Sequence, residues 1–362
     1  MRKLILVLNC GSSSVKYALF HNEEEIIRGI VERIGSKVKN HKTAIKIVLD
    51  LLLKKKYLNS LKEICAVGHR VVHGGDITKS VVVNREVMSN LKKSTVLAPL
   101  HNPHNIEGII AIQNFLPKIK NFAVFDTTFH KNIPDYAALY GLPLSLSKRY
   151  KIKRYGFHGI SYKYICEELK RKCGRLPKKL IICHLGNGSS ITAVFNGRSI
   201  DTSMGFTPLE GLMMGTRSGD IDAGIIFHLA RHHKNIKEID HIFNFSSGLK
   251  GVGNSNDMRD IWKKSKKDKK SKLALDMYCY RLQKYIGAYS ATLNGIDALV
   301  FTAGIGENAW WVRKNVCDKL GYLGIKINQK DNKKNKWKIG PKVYVLKTNE
   351  EKMIAREVKC LI

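Results

Sequence analysis

Two short glycine- and serine-bearing turns, each set between apolar runs of β-forming residues, constrain this chain more than any other feature. The first lies in Val7-Leu8-Asn9-Cys10-Gly11-Ser12-Ser13-Ser14-Val15-Lys16, the second in Cys183-His184-Leu185-Gly186-Asn187-Gly188-Ser189-Ser190. An apolar run that stops at a glycine turn and resumes as a β-prone run reads as a hairpin, not as a strand feeding a helix. After each hairpin, strand and helix signals alternate, once before Tyr150 and again after it, which implies an α/β chain built in two halves. Its 362 residues suffice for two domains with buried cores.

Strand signals fall at Lys3–Leu8, Val15–Phe20, Glu25–Ile30, Asn121–Phe125, Leu180–Cys183, Ser190–Phe195, Ala298–Phe301 and Lys342–Leu346. A helix is predicted over Pro103–Phe115, with Asn102 as its N-cap and proline at the first helical position. The longest segment of helical periodicity is Leu273–Leu293. Pro134, Pro143 and a basic stretch interrupt the pattern across His130–Lys153 and place the domain boundary there.

Lys and Arg number 63 against 30 Asp and Glu, a net charge of +33. Such an excess invites a nucleic-acid reading, but it sits largely in the runs Lys54–Lys56, Lys263–Lys270 and Lys330–Lys336. These carry no aromatics for base stacking, Trp337 merely adjoining one. A solvated lysine-rich surface is the better reading. No apolar run reaches the roughly eighteen residues of a membrane span, and no signal peptide opens the chain. The eight scattered cysteines form no CxxC pair, as expected of reduced thiols in a cytoplasmic protein.

A glycine turn lets backbone N–H groups converge on an anion, and in the first hairpin Lys16 adds a full charge. Strand alternation would set Ser12, Ser14 and Lys16 on one face. A third glycine element, Thr302-Ala303-Gly304-Ile305-Gly306-Glu307-Asn308-Ala309, mimics a dinucleotide fingerprint. It lies near the C-terminus and lacks the acid some twenty residues on that the fingerprint needs. The P-loop pattern is absent. Charges flank other glycine turns: Arg70 in Gly68–Gly75, Asp126 after an apolar strand, His158 between Gly156 and Gly159, Arg217 in Gly215–Asp220, and Asp257 beside Arg259. Taken singly, each is ordinary turn chemistry. His69, His73, His101, His104 and His130 read as core or turn histidines, and the histidines show no metal-ligand spacing.

Together the blocks NCGSSSVK, GHRVVHGG, LAPLHNP, FDTTFH, YGFHGISYKY, CHLGNGSSITAV, SMGFTPLEGLMMGTRSGDID, SNDMRD, FTAGIGEN and TNEE, in this order from residue 9 to residue 351, resemble the acetate kinase family of the acetate and sugar kinase/heat-shock ATPase/actin superfamily. The resemblance implies α/β architecture: duplicated actin-like (ribonuclease H-like) domains with mixed five-stranded sheets flanked by helices and a central cleft. The first domain would take residues 1–129 with 352–362, the second residues 130–351. It also implies reversible transfer of a phosphoryl group from ATP to acetate, giving acetyl phosphate and ADP with Mg²⁺ (or Mn²⁺ as a substitute), by a homodimer.

Carried over, Asn9 and Glu350 would hold the metal, and Ser12, Ser14 and Lys16 would meet phosphate oxygens. His184, Leu185, Gly186, Asn187 and Gly188 would form a second phosphate loop. Asp257, Met258 and Arg259, with Gly304, Ile305, Gly306, Glu307 and Asn308, would hold the adenosine. Arg70 and Arg217 would grip the transferring group beside His158, and Val72, Leu100, Phe157 and Pro208 would surround the acetate methyl group. Asp126 is the family's catalytic acid, viewed as a base or as a metal-orienting group. The second role fits the chemistry, because acetate with a pKa of about 4–5 is already ionised and a loose phosphoryl transition state asks for alignment and neutralisation.

Valine at 72 favours acetate over propionate, by the modest margin one methylene allows. Departures from the family pattern are Cys10 for a common alanine, expected to face the core, Met258 for a usual phenylalanine, a shortened segment between Val31 and Lys62, and a shortened tail after Glu351. Rival readings are a propionate or butyrate kinase, and a nucleic-acid-binding protein on a dead kinase fold. The missing peptide-binding domain excludes a chaperone-like ATPase.

Overall fold

The computed structural model describes residues 3–232 and 235–362; Met1, at the start of the first expected domain, lies outside them. The chain divides into two compact units, one of Met1–Phe129, Gly159–Tyr164 and Asn349–Ile362, the other of His130–His158 and Ile165–Thr348.

The first unit carries strands β1 (Leu4–Cys10), β2 (Ser14–His21), β3 (Glu24–Glu32), β4 (Ile64–Val71), β5 (Val81–Val82) and β6 (Lys120–Phe125). They form one sheet in the order β3-β2-β1-β4-β6-β5. β1 and β2 are the predicted hairpin, closed where the Gly11 N–H donates to the Ser14 carbonyl at 2.8 Å. β4 then runs parallel to β1, and β6 parallel to β4. The expected five strands gain a sixth in β5, a two-residue antiparallel edge on β6.

β4 is absent from the predicted strands because Gly68, His69 and Arg70 break its apolar run. It is nonetheless central, and its polar groups find partners from the fold: His69 is 1% exposed and hydrogen-bonds Asn121 Oδ1 at 2.8 Å. Burial pushes its pKa down to about 4, so the ring sits neutral in the sheet. Gly68 has a different task. A Cβ there would come within 2.7 Å of Ile354 and 2.8 Å of Val358, so the bare backbone seats the helix Glu350–Lys359 against β4.

The helix predicted from Pro103 begins at Asn102, not after it, and His101 occupies the cap position. Asn102 is used elsewhere. Its Oδ1 accepts from the His73 N–H at 3.1 Å and its Nδ2 donates to the His73 carbonyl at 2.9 Å. One turn on, Asn105 accepts from the Val72 N–H and donates to the Cys10 carbonyl. Two buried amides thus satisfy backbone groups that leave the sheet at the ends of β1 and β4. Cys10 faces the core as expected. It packs against Gly108, whose missing Cβ would lie 2.5 Å from its Sγ, and burial pushes its thiol up to about 12. All eight cysteines are free thiols.

The second unit repeats the plan with β7 (Lys179–Leu185), β8 (Ser189–Phe195), β9 (Arg198–Thr202), β10 (Ala298–Thr302) and β11 (Val343–Val345), in the order β11-β10-β7-β8-β9. Hairpins join β7, β8 and β9 antiparallel, and β10 and β11 add in parallel on the other side of β7. Position for position, β9-β8-β7-β10-β11 matches β3-β2-β1-β4-β6. The two sheets thus follow one strand plan, as duplicated domains would.

The periodic segment forms the helix Lys269–Thr292, capped where Asp268 accepts from the Ser271 N–H at 2.7 Å. It buries Leu275, Tyr278, Cys279, Leu282, Ile286 and Tyr289, the i, i+3, i+4 stripe that faces the sheet. Among the described residues no helix is long and apolar enough to cross a membrane.

Candidate functional site

In the first unit, Asn9 stands one residue before the end of β1 and lies opposite Lys16 of β2 in the hairpin register. Ser14 and Lys16 share the outer face of β2 while Val15 and Tyr17 are buried. Ser12 lies in the turn, ahead of the strand, so alternation does not reach it. The turn exposes Ser12 and Ser13.

Arg70, near the end of β4, grips Asp126, which follows β6. Its Nε donates to Oδ1 at 3.2 Å and its Nη2 to Oδ2 at 2.6 Å, a bidentate pair in which Asp126 is 1% exposed. Its Nη1 also stands 3.5 Å from the Glu350 carboxylate at the start of the C-terminal helix. Burial works against the charge on Arg70, but the Asp126 and Glu350 carboxylates outweigh it and raise the guanidinium's pKa. Parallel strands bring Arg70 and Asp126 side by side, and the seat at Gly68 brings Glu350 to them. Of the four residues expected around the methyl group, Val72 is buried and Leu100 half-buried in this unit; Phe157 and Pro208 belong to the other.

In the second unit, His158 has a left-handed backbone (φ 59°) just before the helix Gly159–Cys173. Its Nδ1 pairs with Ser190 Oγ at 2.8 Å, and its ring stacks on His184 with centroids 4.1 Å apart. Arg217 Nη1 donates to the Pro208 carbonyl at 3.3 Å, and burial pushes its pKa down. Gly188, at the tip of the second hairpin, lies between these two. A Cβ on it would stand 3.6 Å from Arg217 Nη1 and 3.7 Å from His158 Nε2, so glycine leaves open the space that both side chains border. The tip is braced from behind, where the Gly215 N–H donates to the Asn187 carbonyl at 3.0 Å.

Beside this tip a cavity of about 520 Å³ is walled by Gly186, Asn187, Asn256–Arg259, Gly304, Ile305, Asn308, Ala309 and Trp311. Asp257 caps the helix Met258–Lys264 and holds Arg259, whose Nη2 lies 2.6 Å from its Oδ2. Gly306 and Glu307 do other work. Gly306 lets its turn approach the Phe301 backbone, and the Glu307 carboxylate accepts from the Ala303 and Thr348 N–H groups.

Two residues here had no signal that the sequence reading used. Arg313, 0% exposed, donates to the carbonyls of Gly306, Glu307 and Asn332 and to the side chains of Asn332 and Asn335. Burial pushes its pKa down to about 10. Trp311 stacks on Trp262 at 4.2 Å with Trp310 edge-on to both. The lysine runs do meet aromatics after all: Lys266 covers Trp262 and Lys333 covers Trp310.

Among known proteins, residues 35–356 match the acetokinase family. The chain belongs to the acetokinase family. It is accordingly a kinase, a phosphotransferase acting on a carboxyl acceptor. It is 49% identical over 396 residues to the acetate kinase of Alkaliphilus metalliredigens, covering 99% of this chain and 100% of that one. Its fold matches a propionate kinase from Francisella tularensis with a TM-score of 0.94 at 41% identity, over 98% of each chain. It matches Porphyromonas gingivalis acetate kinase at 0.92 and 38% identity, over 99% of each.

Proposed function

We propose that this acetokinase phosphorylates acetate with ATP, reversibly, as a cytoplasmic homodimer, and that the residues above carry out the transfer. The observation that supports the reading best is the Gly188 tip bordered by Arg217 and His158, an open cradle beside a cavity large enough for a nucleoside. The Gly186–Gly188 turn and the hydroxyls and ammonium of Ser12, Ser14 and Lys16 would bind phosphate oxygens; the cavity would take the adenosine.

Arg217 and Arg70 would balance the charge on the phosphoryl group as the bond to ADP breaks and the acetate oxygen bonds to phosphorus. His158, fixed by Ser190 through Nδ1, would aim Nε2 at the same group. No proton has to move, so Asp126 orients Arg70 and needs no base role. Asn9 and Glu350 are hard oxygen donors suited to Mg²⁺, and the ion would draw off charge from the phosphate oxygens. Val72, Leu100, Phe157 and Pro208 would each contact the acetate methyl group.

Hydroxamate trapping of acyl phosphate tests this directly. Product is expected with acetate, ATP and Mg²⁺, falling by about 10-fold or more with propionate, and none without a divalent ion. No acetyl hydroxamate would sink the reading. Faster turnover of propionate would favour the second reading, a propionate kinase, which the likeness to the Francisella structure keeps in view.

Trp311 supplies a check on the nucleotide site. Three of the four tryptophans cluster at the cavity, so ADP is expected to quench tryptophan emission. Trp311→Phe should remove most of that change. Emission blind to saturating ADP would place the nucleotide elsewhere.

A further inference from the structure

His41, His104 and Glu107 bring three ligand atoms within 4.8 Å of one another in the first unit, and none of the three has a role assigned above. His41 opens the helix His41–Lys54; His104 and Glu107 sit one turn apart on the helix Asn102–Phe115, which packs against it. From this arrangement we propose that the trio forms a site for a divalent transition ion of the zinc class, separate from the Mg²⁺ used in phosphoryl transfer.

Each group is prepared for such an ion. His41 Nε2 lies 2.7 Å from the Gly11 carbonyl. A backbone carbonyl can only accept, so Nε2 carries the proton there, and Nδ1, set against Glu107, is the nitrogen turned toward the proposed ion. A metal-bound histidine is oriented by this same backbone contact. His104 Nδ1 is a buried nitrogen with no hydrogen-bond partner, pointing toward Glu107 Oε2 at 3.6 Å, and its ring stacks on that of His41 at 5.0 Å. Tetrahedral zinc, with bonds of about 2.0–2.1 Å to nitrogen and oxygen, sets its ligand atoms about 3.4 Å apart.

The His104–Glu107 separation already matches, whereas His41 Nδ1 and Glu107 Oε2 stand 2.7 Å apart, as an ion pair. The Glu107 side chain is 54% exposed and can give the roughly 0.7 Å that a tetrahedral ion needs. Two imidazoles and a carboxylate leave a fourth position for water. The site was invisible in the histidine spacing because His41 comes from a distant segment. Its place gives it an effect: through His41 a bound ion would brace the Gly11 carbonyl, and so the turn that presents Ser12 and Ser14.

The test titrates the chelator-treated full chain with Co²⁺ and reads its visible d–d spectrum, followed by competition with Zn²⁺. One ion per chain is expected, with nitrogen/oxygen-type bands and no thiolate charge-transfer band, displaced by Zn²⁺ and indifferent to millimolar Mg²⁺. His104→Ala and Glu107→Gln, both at part-exposed positions that leave the core intact, should weaken binding about 100-fold, the upper end of losses measured even for groups that only orient ligands. They should also abolish the rise in Tm that Zn²⁺ gives the parent protein. Binding that survives in both variants with unchanged circular dichroism would overturn the assignment. So would failure of the parent to take up one equivalent, or a thiolate signature that Cys360→Ser removes.

Discussion

Replacing Arg217 with alanine is expected to lower turnover by about 100- to 1000-fold while leaving the melting temperature nearly unchanged. The size follows from what a preorganised electrostatic group is worth when removed from a transition state. The unchanged stability follows from burial, which already works against the arginine's charge, so the fold gives up little when the charge goes. Arg70 should behave differently although the proposed chemistry treats the two alike. Arg70→Ala leaves Asp126, 1% exposed, without the guanidinium that meets both of its oxygens. Breaking such a buried pair costs about 3–5 kcal/mol, so this variant should lose stability as well as turnover. Coupled assays beside thermal melts separate the cases. Near-normal turnover in Arg217→Ala would remove it from the transfer step, and an unshifted melt in Arg70→Ala would mean that Asp126 finds other support.

Arg313→Met should be the most damaging substitution outside the proposed chemistry. Methionine fills much of the same volume but strands the carbonyls of Gly306, Glu307 and Asn332 and two asparagine oxygens. At about 1–3 kcal/mol for each buried acceptor left bare, with partial relaxation, the loss should be about 4 kcal/mol, or roughly 10 °C in Tm. Because the tether holds the turn after β10, KM for ATP should rise more than kcat falls. Calorimetry and initial-rate kinetics check both; a loss below 1 kcal/mol would mean that the turn holds itself.

Elements whose apolar pattern is uninterrupted were legible in the chain. The two hairpins, β6, β10 and the helix over Lys269–Thr292 stand within a few residues of where periodicity puts them. β4 was not, because Gly68, His69 and Arg70 are polar or bare for reasons that lie on neighbouring elements: a seat for the C-terminal helix, a buried partner in Asn121, a carboxylate at Asp126. Asn102 shows the same limit. A helix-capping residue type at a helix start is the natural local reading, yet a strand end with unsatisfied backbone groups claims it instead. The proposed site residues stand out only as blocks in order, since a lone arginine in a turn carries no sign of its purpose. Arg313 belonged to no block and gave no signal, and Trp311 lies just past one.

The matched strand orders of the two sheets mean that one folding rule is written twice and filled in differently. One copy ends its hairpin with hydroxyls and an ammonium group, the other with bare peptide flanked by imidazoles and the Arg217 guanidinium. Each copy thus meets an anion with one full positive charge, an ammonium carried on the first hairpin itself and, at the second, the Arg217 guanidinium brought in from another segment.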